Sequence, residues 1–282
     1  ALAALFSSLT IFGLYKLALV IAGKEAALFS ALASAISPWS FQFSRIAWDP
    51  PIMPFFLIWG CYLLVKGGRY FNYALAGAFM ALALYAYPPA RVAIPILLPS
   101  ALFLSIRRSG LSKAAGKLVI FALTLTIIST PLISLTLSGE VQGRYQTLSI
   151  FAPHSGKGPN VFVEYLQNFS KHFTPDYLLG SGDNNLRHST RSFGVLSWVE
   201  GLAILLGFIF PLIGSYRDRK APIIFAMVGI IAGITPAALT WEGIPHSLRS
   251  IGAQPFFALL TGIVLAQAYQ RWKVISYYTA VV

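Results

Sequence analysis

Ser44-Arg45-Ile46-Ala47-Trp48-Asp49-Pro50-Pro51 decides how this chain folds, because it is a polar break between two apolar runs, roughly residues 26–43 and 51–66. A helix needs about 20 predominantly apolar residues to cross a bilayer, and these runs reach or approach that length. Ionisable groups at such a boundary are costly to desolvate, so they usually face a cavity, a partner or a substrate. Arg45 and Asp49 are therefore the first candidates for chemistry.

The same alternation continues outward along the whole chain. Hydrophobic residues make up 56% of the sequence and charged residues 11%, with a mean hydropathy of +0.69. A soluble domain carries roughly 25% charged residues, so the composition excludes that class. The expectation is an all-α, polytopic membrane protein. The net charge of +12 does not call for a nucleic-acid partner, because polytopic proteins collect Lys and Arg in cytoplasmic loops. The lone cysteine, Cys61, lies in an apolar run and offers neither an intrachain disulfide nor a thiolate metal cluster. The chain starts with Ala inside an apolar run and shows no cleavable signal peptide, so a fragment lacking an upstream part is expected.

Apolar runs predict about nine spans: 1–22, 26–43, 51–66, 72–88, 92–106, 117–137, 195–215, 221–240 and 251–270. Strict alternation sorts the connections into two groups. One holds Lys24; Lys66 and Arg69; Arg107, Arg108, Lys113 and Lys117; Arg217, Arg219 and Lys220; and Arg271 with Lys273. These short basic connections are what the cytoplasmic side carries. The other group holds Arg45, Arg91, the long polar segment 138–194, and His246 with Arg249. The predicted organisation is helices 1–6 over 1–137, an extracytoplasmic loop or cap over 138–194, and helices 7–9 with the C-terminal end over 195–282.

The second group mixes arginines with acids, prolines and aromatics, as in Tyr85-Ala86-Tyr87-Pro88-Pro89-Ala90-Arg91 and Trp241-Glu242-Gly243-Ile244-Pro245-His246-Ser247-Leu248-Arg249. Most of these Trp and Tyr residues fit an interfacial belt. Arginines on the side that positive-inside statistics disfavour ask for a role, and a guanidinium fork matches phosphate oxygens. Within 138–194, Asp183-Asn184-Asn185 lacks the later ligands of a calcium loop and reads as a turn. His154, His172 and His188 are too scattered along the chain to read as a metal site, and no cofactor is predicted. A divalent metal has no support at this level. Asn168-Phe169-Ser170 fits a glycosylation sequon, a triplet that is common by chance.

Phe41-Gln42-Phe43-Ser44-Arg45-Ile46-Ala47-Trp48-Asp49 resembles the stretch joining two helices in the GT-C glycosyltransferases, in the branch of protein O-mannosyltransferases and lipid A aminoarabinose transferases. Leu82-Ala83-Leu84-Tyr85-Ala86-Tyr87-Pro88-Pro89-Ala90-Arg91 is similar to that family's helix end followed by arginine. His-Phe-Thr-Pro-Asp at 172–176, Gly-Asp-Asn-Asn-Leu-Arg-His-Ser at 182–189 and His246-Ser247-Leu248-Arg249 look like outer motifs of bacterial and archaeal members. The resemblance implies an integral membrane enzyme that moves a sugar from a polyprenyl-phosphate donor to an acceptor at the outer face. It implies phosphate or sugar contacts from Arg45, Arg91, His246 and Arg249, with Asp49 as the acid at hand. The family's main catalytic acid sits in its first outer loop, a region this sequence does not contain; the first helix here looks like the family's third.

Membrane lipids and a lipid-linked donor are the expected partners, and the acceptor is a protein, lipid or glycan. A transporter or flippase for a lipid-linked or anionic solute would also use arginines beside broken helices, but it calls for internal repeats and midplane charges. Neither is evident, and Lys16 is the lone mid-segment cation. A polysaccharide polymerase or ligase would share the long outer loop and is separated from the transferase only by its substrates.

Overall fold

The computed structural model describes residues 2–46, 48–139, 143–152, 160–209 and 220–281. Glu140, His154, Arg217 and Arg219 lie outside the described residues. The described residues are all-α in character, with one isolated antiparallel bridge between Ser149 and Thr240.

The first half is a bundle of α1 (Leu2–Ala22), α2 (Lys24–Ile36), α3 (Pro38–Ser44), α4 (Ile52–Lys66), α5 (Tyr70–Ala86), α6 (Ala90–Ser109) and α7 (Leu111–Leu137). The run expected as one span over 26–43 is two helices. Proline disfavours helical backbone at the residue before it, and Ser37 duly sits at φ −62°, ψ 126°. Pro38 then opens α3 in a new direction. Short helices α8 (Gly143–Leu148), α9 (Val161–Lys171) and α10 (Pro175–Leu179) occupy the long polar segment. They are followed by α11 (Trp198–Ile209), α12 (Lys220–Ala238), a 3-10 turn at Ile251–Ala253 and α13 (Gln254–Val281).

Among the described residues, five helical segments are long and apolar enough to cross a membrane: Leu2–Ala22, Ala90–Ser109, Leu111–Leu137, Lys220–Ala238 and Ile251–Trp272. Ile52–Lys66, Tyr70–Ala86 and Trp198–Gly207 are apolar but shorter. The nine predicted spans therefore do not map one for one onto the helices. Part of the seventh, 210–215, lies outside the described residues.

Small side chains set the closest helix contacts. In α2, Ala26, Ala27, Ser30, Ala33 and Ser34 are buried, and α13 lies against that face, where a Cβ at Gly262 would collide with Ser30. In α12, a Cβ at Gly233 would fall on the backbone of Ala253, so glycine lets the 3-10 turn seat directly on the helix. Phe225, Phe256 and Phe257 fill the core beside it. The start of α11 carries a reciprocal cap. Ser197 N–H donates to Glu200 Oε2 at 2.8 Å, and Glu200 N–H donates to Ser197 Oγ at 3.3 Å.

The connections gather at two ends. At one, Arg108 Nη1 donates to Val20 C=O at 2.8 Å and Ser105 Oγ donates to Leu64 C=O at 2.8 Å. At the other, Trp48 meets His188, Ser247 meets Asp183, and Tyr87, Pro88 and Pro89 line one cavity with Leu148, Ser149, Thr240 and Arg249.

Candidate functional site

The second end is organised by buried polar side chains. Asp183, 2% exposed, is the hub. Its Oδ2 accepts from His188 Nδ1 at 2.9 Å and from both the N–H and the hydroxyl of Ser247 at 2.8 Å. Its Oδ1 accepts from Asn185 N–H at 2.8 Å, an Asx turn that explains the Asp-Asn-Asn sequence. Burial alone pushes the Asp183 carboxyl upward, but the bonds from His188, Asn185 and Ser247 outweigh it and hold the group below its usual value.

Two more histidines complete the joint. His172 is fully buried at the end of α9; its Nδ1–H donates to Asn168 C=O at 2.9 Å, and its Nε2 accepts from His246 N–H at 3.1 Å. Burial holds its pKa down, to about 4, so it is neutral at pH 7. His246 caps its own turn, its Nδ1 accepting from Arg249 N–H at 3.2 Å. Burial, then Arg249 and His188, hold His246 down at about 3. The rings of His188 and His246 lie 4.7 Å apart, centroid to centroid.

An aromatic floor supports the cluster from the N-terminal half. Trp39, 2% exposed in α3, donates Nε1–H to Ser247 C=O at 3.1 Å. Phe43 and Trp48 pack on the His188 ring at 6.1 and 5.7 Å. Trp39 and His172 both meet Tyr177 edge to face. Tyr177 bonds Ser250 Oγ at 3.3 Å, and burial raises its phenol pKa. Three segments far apart in sequence thus fix one turn, 246–250, and with it the start of Arg249.

The Arg249 guanidinium is held as well as the turn. Its Nη1 donates to Thr240 Oγ1 at 2.9 Å and to Glu242 C=O at 2.8 Å, and its Nη2 lies 3.8 Å from the Glu242 carboxylate. It lines a cavity of about 180 Å³ with Tyr87, Pro88, Pro89, Pro236 and Leu239. Two residues beyond Pro89, Arg91 lines a second, mostly apolar cavity of about 490 Å³ between α5, α6 and α7. The Arg91 Nε is buried with no hydrogen-bond partner among the described residues. Leu98, Leu125, Leu132 and Ile133 form the apolar part of this groove.

The sequence-predicted residues divide accordingly. Arg249 and His246 share one turn, whereas Arg91 lines a different cavity from the one that Arg249 shares with the next residue, Val92. Arg45 is exposed and stacks on Phe41, with its guanidinium carbon 5.1 Å from the ring centroid. Asp49 is exposed too; its side chain makes no cap on α4, although its carbonyl accepts from Ile52 N–H at 2.9 Å. No ion pair joins Arg45 to Asp49 among the described residues. The Asn168 sequon is not available for modification: Asn168 is 5% exposed and its amide donates to the carbonyls of Ala238 and Thr240 at 3.4 and 3.0 Å.

Sequence reading missed Asp183, His188, His172, Ser247 and Trp39 as a unit. His172 and His188 do look scattered in one dimension, yet both touch His246. The one sequence signal that could have paired them is charge alternation, which groups the 138–194 segment with His246 and Arg249, although it leaves Trp39 inside the predicted span 26–43.

No curated protein and no solved structure matches the chain. Residues 1–133, from α1 into α7, match the family model described as dolichyl-phosphate-mannose-protein mannosyltransferase, and this match, together with the membrane-length helices, supports a GT-C type membrane glycosyltransferase.

Proposed function

We infer that the protein transfers a sugar from a polyprenyl-phosphate carrier to an acceptor at the extracytoplasmic face of the cell membrane. The observation that carries this reading is the pairing of two arginine-bearing cavities around the start of α6. Arg249 faces a cavity of about 180 Å³, and Arg91, whose Nε has no partner among the described residues, heads an apolar groove of about 490 Å³. A lipid phosphate needs both a cation with directional donors and hydrocarbon walls for its chain. The donor lipid would lie along α5–α7 with its phosphate between Arg91 and Arg249. Arg45, on the exposed side of the aromatic floor, is then a contact for the sugar or phosphate, and His246 acts on the same end by holding the turn that carries Arg249.

In an inverting transfer a base takes the proton of the acceptor hydroxyl or amine as its oxygen or nitrogen attacks the anomeric carbon, and the lipid phosphate leaves. Arginines stabilise the charge that develops on that phosphate. Asp49 is the acid nearest to Arg45 in sequence, and its exposure leaves it open to an acceptor.

The test uses the full-length protein in lipid nanodiscs with radiolabelled polyprenyl-phosphate sugars. Arg249→Ala and Arg91→Met should each lower kcat/KM by about 10–100-fold, since a hydrogen bond to a charged group contributes about 1.5–3 kcal/mol. Both variants should still insert and fold. Full transfer by both folded variants would overturn the phosphate-binding role.

A further inference from the structure

We propose that Asp183, His188 and His246 form a binding site for a divalent transition-metal ion, with zinc the best fit. Each residue offers one ligand atom, and the three atoms lie within 4.8 Å of one another. Asp183 and His188 are buried and His246 is partly buried, so the site is walled by protein. The inference stands on this geometry alone and does not require glycosyl transfer to be the reaction.

The donor set selects the ion. Two imidazoles and one carboxylate suit zinc and its neighbours, whereas calcium and magnesium take oxygen ligands in six-fold or higher shells. Two tetrahedral ligands about 2.05 Å from zinc are about 3.3 Å apart. Asp183 Oδ2 and His188 Nδ1 stand at 2.9 Å, so they need open by only about 0.4 Å to admit the ion between them. When His188 ligates through Nδ1, its ring proton moves to Nε2 and the imidazole stays neutral. Neither His188 Nε2 nor His246 Nε2 has a protein partner among the described residues, so the protein leaves ring nitrogens of both residues uncommitted.

The supporting contacts have the form expected around a metal. Asn185 N–H fixes the second carboxylate oxygen at 2.8 Å, and Ser247 donates twice to the first. Trp48 and Phe43 close one side of the His188 ring. The ion would tie the 183–188 turn to the 246–249 turn, two segments joined among the described residues by the Ser247 hydroxyl and N–H on the Asp183 carboxylate and by the contact of the two histidine rings. It would also lock the turn from which Arg249 extends. The Arg249 guanidinium is directed to Thr240 and Glu242, where it has its own acceptors.

The experiment strips the full-length protein in detergent micelles with a chelator, then titrates Zn2+ by calorimetry and counts bound metal by mass spectrometry. About one zinc per chain is expected, with equimolar Mg2+ or Ca2+ failing to displace it. His188→Gln and His246→Gln should each weaken binding by more than about 100-fold, since losing even an outer-shell partner costs about 10–100-fold. X-ray absorption at the zinc edge reads the wild type directly and does not depend on how well the variants fold. It should show imidazole nitrogens at about 2.0–2.1 Å. Absence of saturable zinc binding, displacement by Mg2+, unchanged affinity in both folded variants, or a zinc spectrum without imidazole would each overturn the proposal.

Discussion

Asn168 makes a prediction that separates polarity from size. Its amide nitrogen donates to Thr240 C=O at 3.0 Å and, more weakly, to Ala238 C=O at 3.4 Å, in a place where only 5% of the residue is exposed. Ala238 closes α12 and Thr240 lies two residues beyond it, so neither carbonyl has a further helical partner. Asn168→Ala leaves at least the Thr240 carbonyl bare, a loss of about 1–3 kcal/mol. Asn168→Asp keeps the volume but replaces the donor with a carboxylate oxygen facing two carbonyl oxygens. It loses the same bond and adds repulsion, so it should be the worse variant despite its better fit. At about 2–4 °C per kcal/mol, the alanine variant should lower the apparent melting temperature in micelles by about 2–12 °C, and the aspartate variant by more. Hydrogen exchange should rise first in 160–172 and 236–250, because Thr240 also holds Arg249. An aspartate variant as stable as wild type, or more stable than the alanine variant, would refute the reasoning.

Three further outcomes are expected. Trp39→Phe removes the only donor described for the Ser247 carbonyl and should cost about 1–3 kcal/mol in thermal unfolding, with loosened exchange at 244–250. A Gly233→Ala substitution drives a methyl into the Ala253 backbone and should cost about 1–3 kcal/mol, more than the same exchange at Gly116, where the nearest atom to a new Cβ is the Tyr70 hydroxyl at 3.6 Å. By contrast, Arg45→Ala gives up only an exposed stack on Phe41 and should change the melting temperature by less than the equivalent of about 1 kcal/mol. A larger drop would assign Arg45 to the fold and weaken its place among the substrate contacts.

The all-helical character was readable because it follows local rules. Apolar runs report burial in lipid or core. The break at Ser37–Pro38 was also written locally, but continuous hydrophobicity across 26–43 masked it. The cluster around Asp183 was not readable in this way. Ser247 reaches Asp183 across 64 positions, and Trp39 reaches Ser247 across 208. No periodicity spans such distances, and histidine spacing along one element carries no information about ligands contributed by two turns. Asn168 shows the opposite failure: a local triplet suggested a surface role, while tertiary packing had already committed the amide.

Trp39 and Ser247 also impose an order on biosynthesis. The floor of the turn is made early, yet the segment it supports emerges 208 residues later. At about 5–20 residues per second, the gap is about 10–40 s. Throughout that interval the small-residue face of α2 also lacks its partner α13, whose Leu259 carbonyl accepts from Ser30 across 229 positions. The early helices must wait as an incomplete bundle, with the Trp39 side of the polar end open until Ser247 arrives and the α2 face open until α13 follows it.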